Sequence, residues 1–378
     1  MLLAMATPLL LSRGRILVYH LYAVADTFDL DQVRKLWEGQ SKTSRLISRR
    51  AAPAYLQFVN PPVTLSLGER PLYPRPDDQV MARATAKVFD FGVVSIRWEF
   101  DLPPLWSDLV SQAPCFVDNA AIALMSRQLL EEIRPKLSPG MKNPYRQTLE
   151  EDYTIFSIEA FDGEEPLSAR ALMAGYGADI AQLIRGEPKA LSPSEQVETL
   201  RQQISYFDDD LVVIDWNAAL VYDHEGSTEH IDILEFANCE LLELRYYDAL
   251  LDRELDQIYH EVEAGPASAW RYWLRNRYRP TSHRLLTLMV DVVELKDQIE
   301  NSLKIIGDLY SARVYRAISE RLRLKDWEAS IEGKLRSARS IYEVLTDSLD
   351  IGRSVFLEWT IIILIALEIV LLFVMPSH

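Results

Sequence analysis

The end of the chain constrains its fold more than any other stretch. From Phe356 to Met375 it reads FLEWTIIILIALEIVLLFVM, 20 residues of which fourteen are Leu, Ile, Val or Phe. As a helix this run is about 30 Å long at roughly 1.5 Å per residue, the thickness of a bilayer core. The fourteen side chains contribute about −4 to −8 kcal/mol to insertion, and an ionised residue at the centre costs roughly 2.5 to 3.5, so insertion is favoured. Glu358 falls at the entry edge beside Trp359, where a carboxylate reaches the headgroup layer and tryptophan is favoured. Glu368 is the intramembrane acid. Such an acid carries a proton, pairs with a neighbouring helix or faces a wet crevice. One helix with one acid offers no proton path, which assigns Glu368 to helix association and the chain to a homo-oligomer. Arg336, Arg339 and Arg353 precede the run and no Lys or Arg follows it, so the bulk of the chain is expected in the cytoplasm. The expected location is a membrane, the bacterial inner membrane, with a single C-terminal span.

The remaining composition is that of an ordinary globular chain of 378 residues, but its net charge is −16. That excess of acid excludes a protein that coats nucleic acid over its whole surface and leaves only local patches able to hold a polyanion. Cys115 and Cys239 are far apart, with no metal-ligand spacing around either, so neither a disulfide framework nor a zinc site is expected. The N-terminal MLLAMATPLLLSR has no basic residue ahead of its apolar run and no small-residue cleavage site, so neither a signal peptide nor an import presequence is expected.

Hydrophobic period divides the chain into an α+β architecture: an N-terminal mixed α/β domain, then long helices forming a helical stalk, then the C-terminal transmembrane helix. The boundaries fall at 1–165 for the α+β domain, 166–265 for a mixed helical segment with a strand pair, 266–354 for the stalk and 355–375 for the span. RGRILVYHLYAVADTF gives a strand, DLDQVRKLW a helix, and VMARATAKVFDFGVVSIRWEFDLPP two strands joined near Asp90 to Gly92. A helix follows around VDNAAIALMSRQLLEEI, then a strand in YTIFSIEAF, two helices in LSARALMAGYGADIAQLIRGE and SPSEQVETLRQQIS, and one or two strands in LVVIDWNAALVYD. Ile231 to Gly265 is one long amphipathic helix, stopped by Gly265 and Pro266. Leu288, Val292, Leu295, Ile299, Ile306 and Leu309 keep near-heptad spacing, and Leu335, Ile341, Tyr342, Leu345 and Leu349 continue it. That series fits a helical hairpin within one domain and an intermolecular coiled coil equally.

FDFGVVSIRWEF, LEFANCELLELRYYDALLD and RSVFLEWTIIILIALEIVL, in this order, resemble the "required for meiotic nuclear division" family along nearly the whole chain. The most specific part is Leu357, Glu358, Trp359, Ile361 to Ile363, Glu368 and Ile369. The resemblance implies a membrane-anchored protein whose mitochondrial relatives hold the ribosome near the inner membrane, and it implies no enzyme activity. This chain lacks their arginine-rich import segment, which suits a bacterial member.

Three stretches are candidates for chemistry. WRYWLRNRYRP lies in a run from Ala264 to Val290 with five arginines and no acid. Arginine forks match phosphate oxygens and the aromatics stack on bases or settle among headgroups, so Arg271, Arg275, Arg277 and Arg279 are the candidate polyanion-binding residues. The plainer reading makes Trp270, Trp273 and Tyr278 core residues and pairs their arginines with the chain's own carboxylates. SKTSRLISRR, Ser41 to Arg50, opens an acid-free segment reaching Gly68 and suits a surface loop. FDDDLVVIDWN places Asp208, Asp209, Asp210 and Asp215 beside a strand, where carboxylates hold magnesium in hydrolases, yet an acidic turn before a strand explains them as well. Gly175 and Gly177 lie in a helical pattern, not in a nucleotide fingerprint, and His224 and His230 flank a glycine turn with no local nucleophile.

The sequence therefore points to a non-enzymatic, membrane-tethered scaffold. Its partners are the lipid bilayer, a ribosome or RNA, and further copies of itself, with no cofactor, metal or small-molecule substrate evident. The alternative is a metal-dependent hydrolase built on Asp208 to Asp215.

Overall fold

A computed structural model describes residues 9–38, 60–75, 78–163, 166–263, 283–287, 289–290, 292–293 and 309–374. The chain divides into two compact units, Met1–Tyr246 with Gln298–Asp326, and Tyr247–Asp297 with Trp327–His378.

The first unit is a mixed α/β domain around one sheet. Its strands are β1 (Leu11–Phe28), β2 (Val63–Arg75), β3 (Asp78–Val88), β4 (Val93–Asp101), β5 (Met141–Phe161), β6 (Gln202–Ile204), β7 (Asp210–Ile214) and β8 (Ala218–Asp223). They lie in the order β2-β3-β4-β1-β5-β8-β7-β6. Every neighbouring pair is antiparallel except β5 with β8. The helices are α1 (Leu30–Glu38), α2 (Trp106–Gln112), α3 (Ala120–Leu137), α4 (Ala169–Arg185), α5 (Pro193–Thr199), α6 (Glu229–Glu263), α7 (Leu309–Arg321) and α8 (Leu324–Val374).

Strand β1 shows why the sheet is internal. Ile16, Leu17, Val18, Tyr19, Leu21, Tyr22, Ala23 and Val24 are all buried, although a strand turns alternate side chains to opposite faces. A strand apolar on both sides belongs between two layers. Ile16, Val18, Tyr22 and Val24 join the core formed with Val33 of α1, Leu109 of α2, Ile122 and Leu130 of α3 and Leu172 of α4. The opposite face carries Tyr19 beside Arg97, and Leu21 beside Ser95 and Glu151, by register. The first half of α6 lies against that face.

Local chemistry sets the ends. The Asn119 side chain accepts the N–H groups of Ala121 and Ile122 to open α3, and Ser168 and Ser192 do the same for α4 and α5. Gly186 closes α4 in the left-handed conformation. Between β3 and β4, Gly92 has φ +91°, and any side chain there would collide with the Ala25 carbonyl, so the Asp90–Gly92 turn can fold back onto β1.

Two expectations change, and one element is new. The helix expected through SPSEQVETLRQQIS stops at Thr199, because Gln202 to Ile204 pairs with Val212 to Ile214 as an edge strand. The acid-free segment is not loop to its end: β2 starts at Val63, with Val63 and Leu65 buried and Thr64 and Ser66 exposed in period two. Trp106 to Gln112 forms α2, which periodicity in so short a stretch does not signal.

In the second unit, Leu255, Ile258, Leu285 and Ala338 are buried together, with Met289, Ile341 and Tyr342 against them. Lys334 Nζ lies 2.7 Å from carboxylates of both Asp248 and Asp252, and Arg284 pairs with Glu254 at 2.9 Å. Part of the apolar series read as a stalk is thus packed within the chain. The sequence expects a span over 355–375. Among the described residues, however, no helix is long and apolar enough to cross a membrane. At the end of α8 the described side chains are those of residues 358, 360–367 and 369 alone.

Candidate functional site

The first half of helix α6 carries a group of buried ionisable side chains. Its sequence reads as an amphipathic helix, yet every residue from 233 to 244 is buried, on all sides of the helix. Among them are Glu235, Asn238, Cys239, Glu240 and Glu243. A buried charge is tolerated only when paired or neutralised, so each must be accounted for.

Lys87 of β3 accounts for two acids. Its ammonium lies 3.0 Å from Asp232 and closer still to Glu235, whose side chain is 2% exposed. Burial alone would lower the Lys87 pKa, but Asp232 and Glu235 outweigh it and hold the group above the ordinary lysine range. Glu240 accepts a hydrogen bond from the Tyr315 hydroxyl at 2.6 Å, and Asn238 donates to the Leu234 carbonyl at 2.8 Å. At the far end of the buried stretch, Arg245 pairs with Glu151 of β5, and Tyr246 stacks on Tyr145 with ring centroids 3.9 Å apart. Glu243 is the exception. It is 1% exposed and neither of its oxygens has a hydrogen-bond partner. Burial, with the charge of Asp26 adding to it, raises its pKa well above the glutamate range, so it is held as the neutral acid.

These environments suit holding more than reacting. A lysine kept charged is neither a general base nor an amine nucleophile, and burial keeps Cys239 as a thiol, with Glu235 adding to the effect. The sequence signal for this array was present: Glu235 shares the i, i+4, i+7 stripe with the apolar Cys239 and Leu242.

The aspartates of FDDDLVVIDWN are not brought together. Asp210 and Asp215 stand at opposite ends of β7, about 16 Å apart at roughly 3.3 Å per residue. Asp215, 1% exposed, sits between Arg185 Nε at 2.8 Å and Arg321 Nε at 2.7 Å. Asp210 accepts the backbone N–H groups of Tyr206 at 2.6 Å and Phe207 at 3.1 Å. Asp209 meets His224 Nδ1 at 3.1 Å, and Asp208 points to solvent. Among the described residues no three His, Cys, Asp or Glu side chains are grouped to hold a metal ion. The ligand set that a metal-dependent hydrolase needs is therefore not assembled from these aspartates. His230 is buried edge-on against Tyr310, with ring centroids 5.0 Å apart, and Gly175 and Gly177 lie inside α4.

Of the other candidates, Arg271, Arg275, Arg277 and Arg279 lie outside the described residues, as does Ser41 to Arg50. Glu358 is exposed on α8. Trp359 and Glu368 belong to the same helix, with their side chains outside the description.

Sheet and helices together define a mixed α/β protein whose central helix is locked by charge pairs, and residues 13–228, more than half of the chain, match the family described as "Uncharacterized protein MJ0711, N-terminal domain". The chain belongs to that family. It is similar to the uncharacterized protein MJ0711 of Methanocaldococcus jannaschii, with 25% identity over 246 residues, covering 65% of this chain and 72% of that protein. No solved structure matches it. This membership replaces the resemblance to the "required for meiotic nuclear division" family, which no match indicates. The first two quoted stretches are a buried strand and a buried helix, whose composition burial alone dictates.

Proposed function

We propose that this protein is a non-enzymatic, membrane-anchored scaffold in which the end of α8 enters the bilayer and the sheet domain is presented to a partner in the cytoplasm. One observation carries the reading. Ile361, Ile362, Ile363, Leu364 and Ile365 are consecutive on α8, and each is 51 to 61% exposed. At about 100° per residue, five consecutive positions sweep the whole circumference of a helix. Leu367 and Ile369 are exposed as well. A helix apolar all round suits a lipid environment, not water. The basic Arg336 and Arg339, both exposed ahead of this stretch, favour the cytoplasmic side for what precedes it. Self-association through Glu368 is part of the same reading.

The full-length chain carrying Ile363→Arg and Leu367→Arg tests the anchor. Two arginines near the centre of a span cost about 5 to 7 kcal/mol together, comparable to all the apolar residues contribute. The double variant should leave the membrane fraction. Its retention there, in the same yield as the unmodified chain, would rule the anchor out.

A further inference from the structure

The hairpin joining β6 to β7 ends in five residues, Ser205 to Asp209, and its backbone is held by four hydrogen bonds. Asp210 accepts the N–H groups of Tyr206 and Phe207, the Ser205 hydroxyl donates to the Phe207 carbonyl at 2.5 Å, and the Ala169 N–H donates to the Asp208 carbonyl at 2.6 Å. A loop fixed in this way has little ordering left to do when it meets a partner. What it displays is unusual for a surface in water. Tyr206 is 59% and Phe207 63% exposed, their rings edge to face with centroids 4.7 Å apart. Tyr206 leans on Tyr310 with centroids 5.1 Å apart, which gives it a packing role. Phe207 touches no further ring among the described residues.

The charges on the hairpin itself have one sign. Asp208 is exposed, and its carboxylate has no partner among the described residues. Asp209 stands next to it, held by His224. From Gln202 to Asp223 the sequence contains no Lys or Arg at all. An aromatic face beside an unpaired carboxylate is the arrangement that binds a guanidinium or an ammonium, since ring quadrupole and anion attract the same ion.

We propose that this hairpin tip docks a cationic segment of a partner protein, with an arginine or lysine side chain lying on Phe207 and donating to Asp208. Asp208 and Asp209 repel anionic lipid and nucleic acid, which argues against either as the occupant. The site is independent of the membrane anchor, and it supplies the scaffold with a partner class.

The test uses the full-length protein in detergent and a labelled oligoarginine peptide, with its citrulline counterpart as the uncharged probe of the same shape. The arginine peptide should bind, and the citrulline peptide should bind about tenfold more weakly or worse. Phe207→Ala and Asp208→Asn should each weaken the arginine peptide by about tenfold, as for a central contact, while Phe207→Tyr retains binding. Asp31→Asn with Glu131→Gln, two exposed acids elsewhere in the domain, should leave it unchanged. No binding of the arginine peptide, wild-type binding by Phe207→Ala, or an equal loss in the Asp31/Glu131 variant would overturn the proposal. The last outcome would reduce the effect to general attraction by a chain of net charge −16.

Discussion

Lys87→Met destabilises the protein by about 3 to 5 kcal/mol, the range for a buried pair broken on one side. The loss comes less from the missing contact than from what stays behind. Glu235, almost wholly buried, loses its hydrogen-bonded cation and keeps only the more distant charge of Arg97, and Asp232 loses the same partner. Urea unfolding of the full-length protein in detergent, followed by tryptophan fluorescence, measures the difference. Adding Glu235→Leu to Lys87→Met should recover most of it, because an apolar pair of similar volume replaces a buried ion pair at little cost. The sign of the pH dependence follows from the raised Lys87 pKa. A cation whose folded pKa lies above its unfolded value stabilises fully below the unfolded value and loses that stabilisation as pH rises through the folded one. The effect of Lys87→Met should therefore be flat across neutral pH and shrink only in strong alkali.

Glu243→Gln has the opposite sign. The folded protein holds Glu243 protonated at pH values where the unfolded chain has released the proton, so stability drains away as pH rises above the ordinary glutamate range. The slope is up to about 1.4 kcal/mol per pH unit until the folded pKa is reached. Glutamine has the shape of the neutral acid and nothing to titrate. Near pH 4 the two proteins should unfold at similar urea concentrations, and the variant should gain steadily on the wild type toward pH 8. Parallel curves at both pH values would show that Glu243 titrates alike in the folded and unfolded chains. The two predictions together separate an interior that depends on one lysine from an acid stored without one.

Much of the fold was legible in residue order. β1, β3, β4, α3, α4 and α6 each announce themselves by period, and the turn at Asp90 to Gly92 by the one residue that tolerates its backbone. The site was far less legible, for a physical reason. Lys87 and Asp232 are 145 residues apart, and Asp215 and Arg321 are 106 apart. The stripe that Glu235 shares with Cys239 and Leu242 turns it inward, but nothing local names the lysine on β3 that it meets, and a helix with acids in its sequence is read as half-solvated by default. Only the sheet on one side and the bond from Tyr315 of α7 show that the acids of α6 lie inside. The aspartates failed in the reverse direction. Clustered in sequence, Asp208 to Asp215 are spread along a strand that carries them to opposite ends, where one end pins a hairpin and the other anchors two arginines. The spacing that suggested a ligand set was the length of β7.

Alkaline carbonate extraction of membranes containing the unmodified chain decides whether the anchor exists. The protein should stay in the membrane pellet and be released only by detergent, because the end of α8 is held by lipid and not by charge. Release into the carbonate supernatant would contradict the anchor and return the exposed isoleucines of α8 to the surface of a protein interface.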